Sequence, residues 1–306
     1  MSRLALGVLL LSAGMAWAQD PVQLLRRTAD VRQQPTYCAT RVVLFANQKV
    51  VTHIFYAGPG SERQEAGTRR QVLYVRNGNT AWYTGSRVTV ADPRRYHLLS
   101  EQLSIPLVTR NYHLKLVGRG VVAGRPAYCL LCTPLLGDRP TTRLWLDQET
   151  GLMLRKETLS PAGRLQCVEY LAEIKFQPQL PQSLFQPPAA EQPKHAASLS
   201  LADIEKKLGR KLALPHRMPG GFVLGESRLV QWAGHTFAHL CYSDGLSTLS
   251  LFELPAADAE AGSQGIAWLT AGPLINLLTW TGQGMHLTLA ANLPERQLCD
   301  IAASVR

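Results

Sequence analysis

The sequence predicts an α+β protein in two parts: a large antiparallel sheet, or half-open β-barrel, with few helices, then a smaller α+β domain. Three observations carry this. Strand-like segments follow one another through the first half, with turn residues about every 8 to 12 positions. A proline-rich stretch then interrupts the chain, and net charge is split unevenly on its two sides.

Residues 1–18 read as a secretory signal peptide. Arg3 supplies the positive start, Leu4 to Leu11 the apolar core, and Ala16-Trp17-Ala18 the small-x-small cleavage site. The apolar run falls short of the roughly 20 residues that span a bilayer. The chain is therefore expected to be exported.

The first domain is predicted over 19–176. A short helix runs from Pro21 to Val31, with Val22, Leu24 and Leu25 on its apolar side. Arg41–Phe45 and Val50–Tyr56 flank a turn at Ala46–Lys49. Gln71–Arg76 and Thr80–Tyr83 flank Asn77-Gly78-Asn79, and Asn-Gly suits the positive φ of a tight hairpin. Further strands are expected at Tyr112–Gly118, Ala127–Cys132, Arg143–Asp147, Leu152–Glu157 and Leu165–Ile174. Pro178, Pro181, Pro187, Pro188 and Pro193 make 177–199 a linker.

The second domain is predicted over 200–306. Ser200 as N-cap, with Asp203 at N3, opens a helix to about Leu208. Pro219–Phe222 turns the chain, and Asp244-Gly245 joins strands at Phe237–Ser243 and Leu246–Glu253. A strand at Met285–Leu289 and an amphipathic helix from Pro294 to Ser304 close the unit. No charged residue occurs between Glu260 and Glu295, but Gly272, Pro273, Gly282 and Gly284 interrupt the stretch. It reads as globular core, not a membrane helix.

The net charge of +10 and 46 % hydrophobic content exclude a disordered polymer. Residues 19–180 hold 22 Lys+Arg against 12 Asp+Glu, whereas 181–306 hold 9 against 10, so the excess belongs to the first part. Export argues against nucleic acid as its partner. Eighteen of those 22 cations are Arg, with doublets at Arg26-Arg27, Arg69-Arg70 and Arg94-Arg95. Arg pairs bidentately with phosphate and carboxylate. Arg69 and Arg70, with the aromatic Tyr74, Trp82 and Tyr83 nearby, thus form a candidate lipid or anion site. The alternative is a solvated basic face over aromatic core.

Catalytic patterns are missing from the sequence: no Gly-x-Ser-x-Gly, no phosphate loop, no His-Glu-x-x-His. Gly58–Ser61 lacks the Lys of a phosphate loop and reads as a surface turn. His235, His239 and Cys241 share a strand face, but three donors on one strand rarely converge on a metal. Neither enzyme activity, metal nor cofactor is expected. In an exported chain six cysteines favour disulfides. Cys129 and Cys132 lie on a strand and face opposite sides, unlike a redox pair. Cys241 and Cys299 are the only two in the C-terminal third and are expected to pair, the pairing of Cys38, Cys129, Cys132 and Cys167 staying open.

These residues also carry a family resemblance. Arg69–Asn79 resembles a strand pair of the RseB/MucB periplasmic sigma-factor regulators. So do Gly120–Tyr128, Leu144–Asp147 and Gly151–Arg155, a pattern shared with the wider LolA/LolB lipoprotein-carrier group. Tyr242–Glu253, preceded by Met218–Phe222, is similar to the signature of that family's C-terminal domain, and Leu287–Leu289 through Pro294–Ala302 fits its ending. The resemblance implies a LolA-like half-open barrel followed by the small domain. It implies a protein that binds the periplasmic segment of a membrane anti-sigma factor and shields it from proteolysis, with Tyr242, Asp244, Gly245 and Phe252 in the contact. It further implies a periplasmic location with membrane association only through the partner, and release by lipid or lipopolysaccharide, and it admits a homo-oligomer. The alternative is a lipid or lipoprotein carrier of the LolA/LolB type.

Overall fold

The computed structural model describes residues 19–30, 34–45, 48–66, 71–78, 80–83, 103–136, 139–186, 199–232, 235–255, 267–270 and 276–306. The signal peptide expected at 1–18 lies outside them, as do Arg69 and Arg70.

Helix α1 (Pro21–Ala29) starts where Asp20 accepts a hydrogen bond from the Val22 amide and Pro21 sits in the first turn. It buries Leu24, Leu25 and Thr28, and the Thr28 hydroxyl donates to the Gly151 carbonyl at 2.8 Å. Two five-stranded antiparallel meanders follow. The first comprises β1 (Tyr37–Phe45), β2 (Gln48–Tyr56), β3 (Ser61–Ala66), β4 (Gln71–Asn77) and β5 (Thr80–Tyr83). The second comprises β6 (Tyr112–Val122), β7 (Arg125–Pro134), β8 (Thr141–Asp147), β9 (Met153–Leu159) and β10 (Leu165–Phe176). Antiparallel pairing of β1 with β10 joins them into one ten-stranded open sheet with β5 and β6 at its edges. Helix α2 (Ile105–Asn111) leads directly into β6.

One face of this sheet builds the first core. Tyr37, Ala39, Ile54, Tyr56, Leu130, Leu144, Leu146 and Leu171 pack there with Leu24 and Leu25 of α1 and Val108 of α2. Each such burial removes apolar surface from water, worth about 1.5–3 kcal/mol for a Leu-sized side chain. Both hairpins read from the sequence form: Val43 faces Val50 across β1 and β2, and Asn77 faces Thr80 around Gly78, whose φ is +61°.

Several elements differ from expectation. β3 reads Ser-Glu-Arg-Gln-Glu-Ala, without apolar alternation, because its core-side positions are polar and paired instead. Gln64 Nε2 donates to Glu62 Oε1 at 2.6 Å, and Arg41, 1 % exposed, donates to Gln64 at 3.4 Å. The described parts of the expected linker at 177–199 dock on the folded elements at both ends. Gln182–Phe185 forms a 3-10 turn with Phe185 buried, and Arg63 donates to the Leu184 carbonyl at 3.1 Å. At the far end, the Leu199 amide donates to Ser227 O and the Ser227 hydroxyl to Leu199 O.

The second domain is a six-stranded antiparallel sheet. Its strands are β11 (Val223–Trp232), β12 (His235–Ser243), β13 (Thr248–Pro255), β14 (Ala267–Thr270), β15 (Asn276–Gly282) and β16 (Met285–Ala291), in the order β11-β12-β13-β16-β15-β14. Helix α3 (Leu201–Leu208), capped by Ser200 on the Asp203 amide, and helix α4 (Glu295–Ala302) pack on one face. Ile204, Leu298 and Ile301 meet Leu240, Leu249, Leu251, Leu287 and Leu289 there. The uncharged stretch after Glu260 supplies β14 to β16, and no described helix is long and apolar enough to cross a membrane.

Candidate functional site: the domain junction

The Asp244-Gly245 hairpin forms as its sequence dictates. Asp244 Oδ1 accepts the Leu246 and Ser247 amides at 3.0 and 2.7 Å, and Gly245 adopts φ +105°, a region costly for other residues. Its surroundings were not visible in the sequence. Asp244 is fully buried, and its second oxygen, Oδ2, is turned onto the first domain. There it accepts the Tyr112 hydroxyl at 2.7 Å and Arg139 Nη1 at 2.5 Å.

The backbone around it is held as well. Asn111 Nδ2 donates to the carbonyls of Asp244 (2.9 Å) and Gly221 (3.2 Å), and Arg110 Nη2 donates to Gly221 O at 3.0 Å. A Cβ on Gly245 would lie 2.7 Å from the Val108 amide nitrogen, and one on Gly221 would meet the Asn111 side chain. Leu246 completes the first domain's core. Burial, and then the Asp244 charge, push the Tyr112 hydroxyl far above the ordinary phenol range, so it stays a donor.

The expected partner-binding residues are therefore not one surface. Tyr242 is buried in the second core, and Asp244 and Gly245 face the first domain. Period-two alternation turns Leu249, Leu251 and Glu253 toward the helices and leaves Phe252 on the other face, half-buried. Phe252 stacks on His239 at 4.4 Å and meets Phe237 edge-on at 6.1 Å. His239 also bonds Ser250 at 3.0 Å.

Among the expected lipid-site residues, Tyr74 is buried, and its hydroxyl accepts Arg76 Nε at 2.8 Å. Tyr83 and Trp82 stand opposite Tyr74 and Val75 on the edge strand β5. Their side chains, with Arg69 and Arg70, lie outside what is described. Sequence reasoning missed the buried polar group Arg41–Gln64–Glu62 on the same sheet; its signal was the polar alternation of β3.

The expected Cys241–Cys299 disulfide does not form. Cys241 alternates with Leu240, which faces the helices, so the sheet separates it from Cys299 on α4. Cys132 lies in the first core, where burial pushes its thiol up to about 12; Cys167 is likewise raised to about 12. Such thiols are poor nucleophiles, the reverse of a redox pair. A shallow groove of about 410 Å³ lined by Cys38, Thr40, His53, Phe55, Glu173 and Lys175 marks the sheet. No cluster of three metal-ligating side chains occurs among the described residues.

The model of the MucB/RseB N-terminal domain matches residues 20–189, more than half of the chain. The chain belongs to the MucB/RseB family. It is 29 % identical over 304 residues to the sigma factor AlgU regulatory protein MucB of Pseudomonas aeruginosa, covering 94 % of this chain and 92 % of that one. Its fold matches the Pseudomonas aeruginosa MucA/MucB complex structure with a TM-score of 0.71 at 22 % identity, over 94 % of this chain and 99 % of that one. A crystal structure of MucB matches with a TM-score of 0.67 at 21 % identity, over 94 % and 98 %. The fold of these solved structures thus extends over nearly the whole length.

Proposed function

We propose that this chain is a non-enzymatic periplasmic regulator of an envelope-stress sigma factor. It binds the periplasmic segment of a membrane anti-sigma factor and shields that segment from proteolysis. The observation that carries the reading is the match across both domains to MucB, a sigma factor regulatory protein that has been crystallised with the periplasmic part of MucA. On the second domain the reading places the contact at Phe252 and its neighbour Phe237, on the face away from α3 and α4. The Arg-rich first domain is proposed to take anionic lipid or lipopolysaccharide and so release the partner, through Arg69, Arg70, Tyr74, Trp82 and Tyr83.

Calorimetry with the periplasmic segment tests the first part. The full chain is expected to bind it, and Phe252→Ala to weaken binding about tenfold or more, as loss of an aromatic anchor does. No measurable heat at high micromolar concentration overturns the reading.

A further inference from the structure

The two oxygens of Asp244 have different tasks. An Asp-Gly hairpin needs only one carboxylate oxygen to hold its own amides, and Oδ1 does this alone. Oδ2 serves only the other domain. It meets Arg139, itself 3 % exposed, and the buried Tyr112 hydroxyl. Among the described residues Arg139 has no other carboxylate within ion-pair distance and Asp244 no other cation. Separating the domains without water entering would leave two bare buried charges.

Such a pair specifies an arrangement more than it stabilises one, because desolvation offsets most of its attraction. The remaining junction is small. Gly245 rests on Val108, Leu246 enters the first core, and Asn111 and Arg110 hold backbone carbonyls. Arg139 Nη2 is buried without a hydrogen bond, a standing cost of the closed form. Relative motion of domains is the expectation where a junction is not large and apolar.

Exposed apolar side chains flank it on both sides. Leu135 and Leu136 are 56 % and 63 % exposed next to Arg139, whose Nε donates to Leu136 O; Val223 and Leu224 follow Gly221. A segment in contact with both pairs would have to span the junction.

We propose that Asp244, Arg139 and Tyr112 form a latch that docks the two domains, and that the docked form is the one that holds the anti-sigma segment. The second clause rests on the function proposed above. Two measurements on the full chain test the halves separately: small-angle scattering without partner, and calorimetry with the periplasmic segment. Asp244→Ala is expected to enlarge the radius of gyration and to weaken segment binding about tenfold or more, with far-UV dichroism unchanged. Tyr112→Phe, which removes one hydrogen bond and keeps the ion pair, shifts both in the same direction by less. The double variant Arg139→Met/Asp244→Leu removes both charges and is expected to restore compactness.

An Asp244→Ala chain as compact as the wild type overturns the latch. An open chain with unchanged affinity overturns its control of the partner. A folded double variant that stays open overturns the charge pair as the cause. If the wild type itself fails to bind the segment, the proposed function falls, while the scattering result still decides the latch.

Discussion

A carboxylate's burial decides its chemistry as much as its sequence neighbours do, and Asp147 and Asp244 illustrate both sources. Asp147 sits in the turn Asp147–Gly151, where Oδ1 accepts the Thr150 amide at 2.8 Å, and Arg125 Nε reaches Oδ2 at 2.6 Å. Burial alone would raise this carboxyl, but Arg125 and Thr150 together outweigh it and hold the group below its ordinary range. A depressed carboxyl stabilises the fold above its unfolded pKa of about 3.9 and loses that contribution as pH falls through the folded value. Asp147→Asn is therefore expected to be less stable than the wild type near neutrality and to show a smaller further loss between about pH 4 and pH 2, read from urea midpoints at each pH. The turn was legible, since Asp and Gly at that spacing announce it. The Arg125 clamp was not, because it comes from the preceding hairpin, 22 residues earlier.

At the scale of elements, apolar alternation was a reliable guide wherever one face is core. β1, β2, β8 and β16 follow it, and so do both glycine-containing hairpins. It failed for β3, whose inward side chains pair with one another, and for α2, a seven-residue helix rich in β-branched side chains. The proline-rich linker failed differently. Proline at this density does not prevent a segment from docking. Phe185, 1 % exposed, closes against β3 and β4 through the Gln182–Phe185 turn. Phe185→Ala is expected to destabilise the first domain by about 3–5 kcal/mol, the cost of removing a buried aromatic ring. A shift of that domain's denaturant midpoint comparable to an exposed-site substitution would show that the turn is not part of the fold.

At the scale of the whole molecule, charge is partitioned by domain. The excess of +10 lies within 19–180, while 181–306 is nearly neutral. Binding of the chain to vesicles containing anionic lipid is therefore expected to weaken steeply as salt rises from about 50 to 500 mM, and neutral vesicles to bind far less. Co-sedimentation measures both, and salt-independent binding would argue for an apolar site instead of the Arg-rich one. Of the residues that resemble a partner signature, Tyr242, Asp244 and Gly245 turn inward, whereas Phe252 stays half-buried on the outer face of the second sheet.

What the sequence determined by itself was local: strand periods, the Asn-Gly and Asp-Gly turns, the Ser200 cap, the uneven charge and the family likeness. Each depends on residues within a few positions of one another, or on composition. The tertiary structure alone decided that β1 closes on β10, that a sheet separates Cys241 from Cys299, and that Asp244 is buried against Arg139 and Tyr112. Those last contacts join residues 105 and 132 positions apart. Their energies come from desolvation and packing at a junction that exists only once both domains have folded.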